Sequence, residues 1–374
     1  MSGEINLVVG CGFSGAVLAE RVASVLDEKV LVIDRRNHIA GNGYDYRDEN
    51  NIFVHKYGSH IFHTDNERVW KYVRRFSSFN TYMHRVVALI DGVETNIPFN
   101  FETLGKIFPK TLACRLEKKM LEKFPYNAKI PILEFAKQDD DDLKFLANYI
   151  YEKVFLHYTE KQWGVKPDEI DSEVSARVPV VLSNDSRYFH DKYQGIPLGG
   201  YTKLIENILS HKNIELRLDT GFTSADECRK YKRVFYTGSV DELFNYKYGV
   251  LPYRSVSFEM HTFEKEFYQS NAVVNYPDNY DFTRVHEYKY YLGDKSRKTV
   301  VAKEYSTDFI PGENERYYPV LKKENIELYK KYLDEARSIS NLYIFGRLGD
   351  YKYYDMDKAV LRALSLFDEV EKTA

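Results

Sequence analysis

Gly10-Cys11-Gly12-Phe13-Ser14-Gly15 is a GxGxxG loop that follows a short apolar run and opens a stretch with helical spacing. Bare backbone at the three glycines permits a tight turn, close approach to a pyrophosphate and close packing of a helix on a strand. The unpaired N–H groups at the helix start, including those of Phe13 and Ser14, suit the phosphates. Asp34 ends the next apolar run, where a carboxylate accepts both ribose hydroxyl protons. Residues 8–34 are therefore expected to hold the ADP half of a dinucleotide. Further on, Gly58-Ser59-His60-Ile61-Phe62-His63-Thr64 sets His60 and His63 beside a glycine. With no HExxH and no carboxylate pair nearby, no metal site is expected there.

The elements that must position these groups follow from the hydrophobic pattern. Residues 5–9 and 29–33 read as buried parallel strands around a helix at 13–25, a β-α-β unit. Helical patterns cover 103–123 and 139–158, with the acidic run 139–142 capping a helix start. Residues 169–186 lack periodicity and read as a loop. A helix at 201–209 and strands at 214–216 and 234–236 come next. Residues 251–305 alternate, with β-branched and aromatic residues, as an antiparallel sheet does. A helix at 324–336, a strand at 342–345 and a helix at 358–370 bring back the β-α pattern. The expected class is α/β: a Rossmann-type dinucleotide-binding domain (1–80, 195–245 and 335–374) interrupted by a helical domain (81–194) and an antiparallel sheet domain (246–334).

Composition bounds the setting. A net charge of -3 argues against general affinity for nucleic acid or anionic membrane. The three cysteines, Cys11, Cys114 and Cys228, are widely separated and form no CxxC pair, which fits a reducing compartment. No apolar run is long enough to span a bilayer, so a cytoplasmic protein is expected. The 32 tyrosines cluster late in the chain, where they suit sheet faces or a polar pocket.

Two further segments bear on the cofactor. Arg35 to Asn42, including Gly41, resembles the extension after the second strand in FAD proteins of the glutathione-reductase type. Gly346-Arg347-Leu348-Gly349-Asp350 resembles the segment that returns over the flavin in such proteins. FAD is expected rather than NAD. The glycine loop, HKYGSHIFHT (55–64), YTEKQWG (158–164), YFHDKYQGIPLGGYTKLIE (188–206), TRVHEYK (283–289), YYP (317–319) and GRLGDYKYYDMD (346–357) occur in an order that resembles the UDP-galactopyranose mutase family. The resemblance covers nearly the whole chain. It implies a pyranose–furanose interconversion with no net redox, in which N5 of reduced FAD attacks the anomeric carbon while the nucleoside diphosphate leaves and returns. It implies that Arg177 and Arg284 hold the diphosphate, and that Tyr158, Tyr188, Tyr318 and Tyr353 contact phosphate. Phe155, Thr159, Trp163 and Asn275 would flank sugar or base, and a mobile lid would span about 165–186. His60, His63, Arg347, Tyr353, Asp355 and Met356 would lie against the flavin, with Gly10, Gly12, Phe13, Ser14, Gly15, Asp34, Arg35, Gly41 and Asn42 on the rest of the cofactor. A homodimer is also implied.

Several positions depart from the family pattern. Ser59 replaces a proline or alanine, His84 an asparagine, Val154 an aromatic and His157 a glycine. Val181 replaces an arginine, and Ala40 interrupts a glycine pair. These changes cluster around sugar and base, where substrate identity is read, while the diphosphate machinery is kept. The natural sugar is therefore open: UDP-galactose, UDP-N-acetylgalactosamine or a dTDP-6-deoxyhexose, with Ser59 and His84 as the residues that would read it. Two other classes share the fold, an amine-oxidase-like FAD oxidoreductase and a noncatalytic dinucleotide-binding protein. The first leaves the two arginines unexplained, and the second gives a lid bearing Trp163 and Arg177 no purpose.

Overall fold

The computed structural model describes residues 4–167 and 178–373. Asn6–Val9 and Val30–Ile33 are buried along their whole length, as strands inside a covered parallel sheet must be. They sit within a five-stranded parallel sheet ordered Ile214–Arg217, Val30–Ile33, Asn6–Val9, Val234–Tyr236, Leu342–Ile344. The chain runs outward from Asn6–Val9 on one side and returns at Val234–Tyr236 on the other, so a crevice opens at the carboxyl end of Asn6–Val9. The helix Phe13–Val25 begins there and packs on the helix Met356–Glu371. Ala16, Ala19, Ala23 and Ala363 are fully buried at these helices, and their small side chains allow a close approach.

The second sheet has seven strands, ordered Tyr318–Pro319, Tyr253–Phe263, Thr299–Asp308, Arg284–Glu287, Val273–Asn275, Val86–Ile90, Val93–Ile97. Its long central pair, Tyr253–Phe263 with Thr299–Asp308, is the antiparallel ladder expected from the alternation. The hairpin Val86–Ile90 and Val93–Ile97 departs from the reading of 81–194 as helical: it extends this sheet, joining Val273–Asn275 in parallel. Its alternating buried residues, Val86, Ala88 and Ile90, carry the strand period.

The helical region packs on that buried face, around Leu116, Ile132, Phe135, Leu143 and Ile150. Its first expected helix is two, Phe101–Ile107 and Lys110–Lys123, because Pro109 interrupts it. Asp140 caps Asp141–Ile150, accepting from the backbone N–H groups of Asp142 and Leu143. That helix runs into a π-helical stretch, Tyr151–Leu156, and then into His157–Trp163. Within the expected loop 169–186, Val180–Val181 pairs with Lys129–Ile130. Among the described residues, no helix is long and apolar enough to cross a membrane.

Candidate active site

The two sheets face each other across a cavity of about 700 Å³. One end is made largely of backbone. Gly12 starts the helix Phe13–Val25 without a side-chain cap and without an acidic residue in the first turn, so donors and a positive dipole end point at the cavity. The glycines divide by task. A Cβ at Gly15 would lie 1.9 Å from Gly10 O, and one at Gly10 2.0 Å from Thr237 Oγ1, so the protein's own packing requires both. At Gly12 a Cβ would meet only Gly41 Cα, at 3.8 Å. The bare backbone there forms a cradle with Gly41, which a side chain would fill in place of a pyrophosphate.

Asp34 is fixed at the cavity wall by two backbone donors, Cys11 N at 2.7 Å and Arg36 N at 3.0 Å. Each carboxylate oxygen keeps an accepting site for a ribose hydroxyl. Gly346, with φ +84°, brings the Arg347 segment against Ser14. Arg347 is anchored on Tyr317 O, and Tyr353, Asp355 and Met356 complete this wall, with Asp355 at the start of Met356–Glu371. Arg35 lines the cavity, yet its guanidinium is engaged by Glu242 and Glu315 at 3.2 and 2.8 Å. Arg36 is the more enclosed of the two: it stacks over Tyr57 and donates to Asn42 Oδ1 at 3.0 Å.

The other end is made of side chains carried by the seven-stranded sheet. Arg284 lines the cavity with 26 % of its side-chain surface open, and its Nε lies 2.9 Å from Glu304 Oε1. That pair is close but not aligned as a hydrogen bond, and among the described residues Nε–H has no bonding partner. Burial would raise the Glu304 carboxyl, but Arg284 and His286 outweigh it and hold it well below the usual carboxylate range. Arg284 also lies over the Tyr158 ring, 5.8 Å from its centroid. Tyr318 and Tyr353 stack at 5.0 Å, and Trp163 leans on both. Burial raises the phenols of Tyr158 and Tyr318, so both stay protonated donors.

Burial keeps His60 and His84 of this end neutral. His60 rests on Gly58 O at 2.7 Å, and burial lowers it to about 4. His84 lies 3.1 Å from Tyr82 Oη and is lowered to about 3, again chiefly by burial. His63 stacks on Phe189 at 3.6 Å and reaches Asp191 Oδ2 at 3.1 Å. Ser59 Oγ lies 2.6 Å from His286 Nδ1. Among the described residues no cluster of three or more metal-ligating side chains occurs.

A smaller recess of about 100 Å³ adjoins the main cavity, lined by Phe155, Tyr158, Thr159, Trp163, Tyr188 and Asn275 among others. Tyr188 and Asn275 border both spaces, and among the described residues the buried Asn275 Oδ1 has no partner. Every site residue expected from the sequence therefore lines one of the two spaces, apart from Arg177, which lies outside the described residues. The sequence reading left out Arg36, His286, Glu304 and Tyr317, which also line the cavity. Glu304 stands in an alternating strand, where a charged residue reads as solvent-facing. Only the carboxylate's register opposite Arg284 shows otherwise.

A parallel sheet with a glycine cradle at its switch point, facing a sheet that carries a half-buried arginine and protonated phenols, defines a dinucleotide-binding protein with a second chamber suited to an anion. A family model described as an NAD(P)-binding Rossmann-like domain matches residues 8–76, and one described as UDP-galactopyranose mutase matches residues 153–353. A probable UDP-galactopyranose mutase from Klebsiella pneumoniae is 39% identical over 99% of this chain and 95% of its own length. The dTDP-fucopyranose mutase of Escherichia coli is 37% identical over 96% of each chain. A crystal structure of a reduced UDP-galactopyranose mutase matches with a TM-score of 0.73 at 15% identity, over 100% of this chain and 95% of that one. The chain belongs to the UDP-galactopyranose mutase family.

Proposed function

We propose that this protein binds FAD and interconverts UDP-galactopyranose and UDP-galactofuranose, the flavin acting in its reduced form. The observation that carries the reading is Arg284: an always-charged fork, half-buried among phenol donors and open to the cavity between the glycine cradle and the smaller recess. The glycine cradle and Asp34 suit the ADP half of FAD, and the Gly346 to Met356 wall suits its flavin half. When bound, reduced FAD supplies a nucleophilic nitrogen for the anomeric carbon of the sugar.

The chain's own residues then have three tasks. Arg284, with Arg177 as its proposed partner, takes up the negative charge that grows on the departing diphosphate, which lowers the barrier as well as strengthening binding. Tyr158, Tyr188, Tyr318 and Tyr353 donate to the same oxygens and keep the diphosphate close enough to return. Phe155, Thr159, Trp163 and Asn275 seat the base and close that side to water. Neutral His60 packs beside the flavin position without bringing a charge, and His63 is held by Asp191 next to it.

Incubating dithionite-reduced protein with UDP-galactopyranose and separating the ring forms by chromatography tests the reading; the furanose is the expected product. Absence of a ring isomer with any nucleotide sugar, together with steady reduction of the oxidised flavin by an amine, would falsify it. The 37% identity to a dTDP-fucopyranose mutase supports a second reading, the same chemistry on another nucleotide sugar. A cytoplasmic setting and a homodimer complete the proposal, the latter to be read by sedimentation.

A further inference from the structure

Ser59, His286 and Glu304 form a continuous polar chain along the cavity wall. Ser59 Oγ is 2.6 Å from His286 Nδ1, His286 Nε2 is 2.9 Å from Glu304 Oε2, and Tyr291 Oη donates to Ser59 Oγ. His286, Glu304 and Tyr291 are buried, whereas Ser59 is half-buried where it meets the cavity. The mutase chemistry described above gives this chain no task.

Each proton in it has one place. Arg284 keeps Glu304 ionised, and an ionised carboxylate only accepts, so His286 Nε2 carries a proton. Burial holds the His286 imidazole neutral, which leaves Nδ1 a bare acceptor. Ser59 must therefore donate to Nδ1, and Tyr291 must donate to Ser59. The serine hydroxyl has used its only donor and retains one lone pair. Its polarity is set by a charge two residues away along the chain.

We propose that Ser59 is a specificity-determining residue that presents a fixed hydrogen-bond acceptor to the sugar, selecting a hexose with a hydroxyl or amide N–H at the carbon above it over the deoxygenated counterpart. His286 and Glu304 are the positioning residues that keep the serine from turning into a donor. The inference rests on the nucleotide-sugar reading of the site. A site that receives a substrate hydroxyl discriminates against its absence more sharply than an apolar wall discriminates against an added group.

The test titrates cofactor-loaded protein with UDP-galactose, with its 2-, 3-, 4- and 6-deoxy analogues, with UDP-N-acetylgalactosamine and with UDP. One deoxy analogue is expected to bind about tenfold more weakly than UDP-galactose. Ser59→Ala should lose that same factor with UDP-galactose and nothing more with that analogue, while UDP binds both proteins alike. Ser59→Thr, which keeps the hydroxyl, should restore the preference. His286→Leu frees the serine hydroxyl to donate, so the preference should shrink although Ser59 is intact, a response that a purely steric serine would not give. Equal binding of all deoxy analogues by the wild-type protein overturns the proposal without any variant. So does a Ser59→Ala loss that is uniform across the panel. If the wild-type protein binds neither UDP-galactose nor UDP, the nucleotide-sugar reading fails instead, and the two failures are distinct.

Discussion

The glycine-loop end of the cavity and the sheet end use different materials. The first is backbone: Gly12 and Gly41 opposed, a helix start without a cap, and one carboxylate, Asp34, pinned by main-chain donors. The second is side chain: phenols, neutral imidazoles and the Arg284–Glu304 pair, brought together from strands far apart in the sequence. A cofactor that stays bound needs a rigid seat, which backbone supplies. A diphosphate that leaves and returns needs donors of fixed protonation in a dry place. Changes at the first end should therefore act on retention and folding, and changes at the second on turnover.

Arg284→Ala offers the strongest way to break that contrast. It should cut turnover about a thousandfold while the flavin absorbance of the purified protein stays unchanged; loss of flavin together with activity would erase the distinction. Gly15→Ala is next. Its Cβ would lie 1.9 Å from Gly10 O, so a loss of about 3 kcal/mol is expected in chemical denaturation, with flavin released.

The third effect is pH dependence, in which cavity histidines and a buried carboxyl outside the cavity act with opposite signs. His60 and His84 titrate at about 4 and about 3 when folded, against 6.5 when unfolded. Their stabilisation is full above 6.5 and is lost as pH falls, by up to about 1.4 kcal/mol per unit for each histidine. Outside the cavity lining, Asp45 accepts from the backbone N–H groups of Tyr201 and Thr202, and burial raises it from 3.8 to about 6. Its contribution is full below 3.8 and lost as pH rises through 6. Urea midpoints between pH 4.5 and 7 should thus rise with pH, less steeply in His84→Gln and more steeply in Asp45→Asn; matching slopes in both variants would rule this assignment out. The smallest change sharpens the comparison most. Gly12→Ala meets only an ordinary contact at 3.8 Å, so stability should stay within about 0.5 kcal/mol. Flavin affinity, read by fluorescence titration of the apoprotein, should fall about tenfold.

The two ends were also unequally legible in the sequence. The seat is contiguous: loop, helix and Asp34 follow one another, so local spacing states the geometry. The resemblance motifs carried Arg284 and the tyrosines, but local pattern did not reach Glu304, whose meaning comes from cross-strand register with Arg284. Nothing in Arg35-Arg36 tells which side chain turns inward; the Tyr57 ring decides for Arg36. The hairpin Val86–Ile90 and Val93–Ile97 went unread because its strands are short and lie beside long helical patterns.

The packing of Phe13–Val25 on Met356–Glu371 has a consequence for biosynthesis. The first helix of the cofactor seat emerges from the ribosome early, and its partner only after more than three hundred intervening residues. Until then its small-residue face has no cover and the flavin wall from Gly346 to Met356 does not exist. Loading of the cofactor is thus an event of the finished polypeptide, and a chain cut before residue 346 should emerge colourless, its glycine loop intact in sequence and idle in practice.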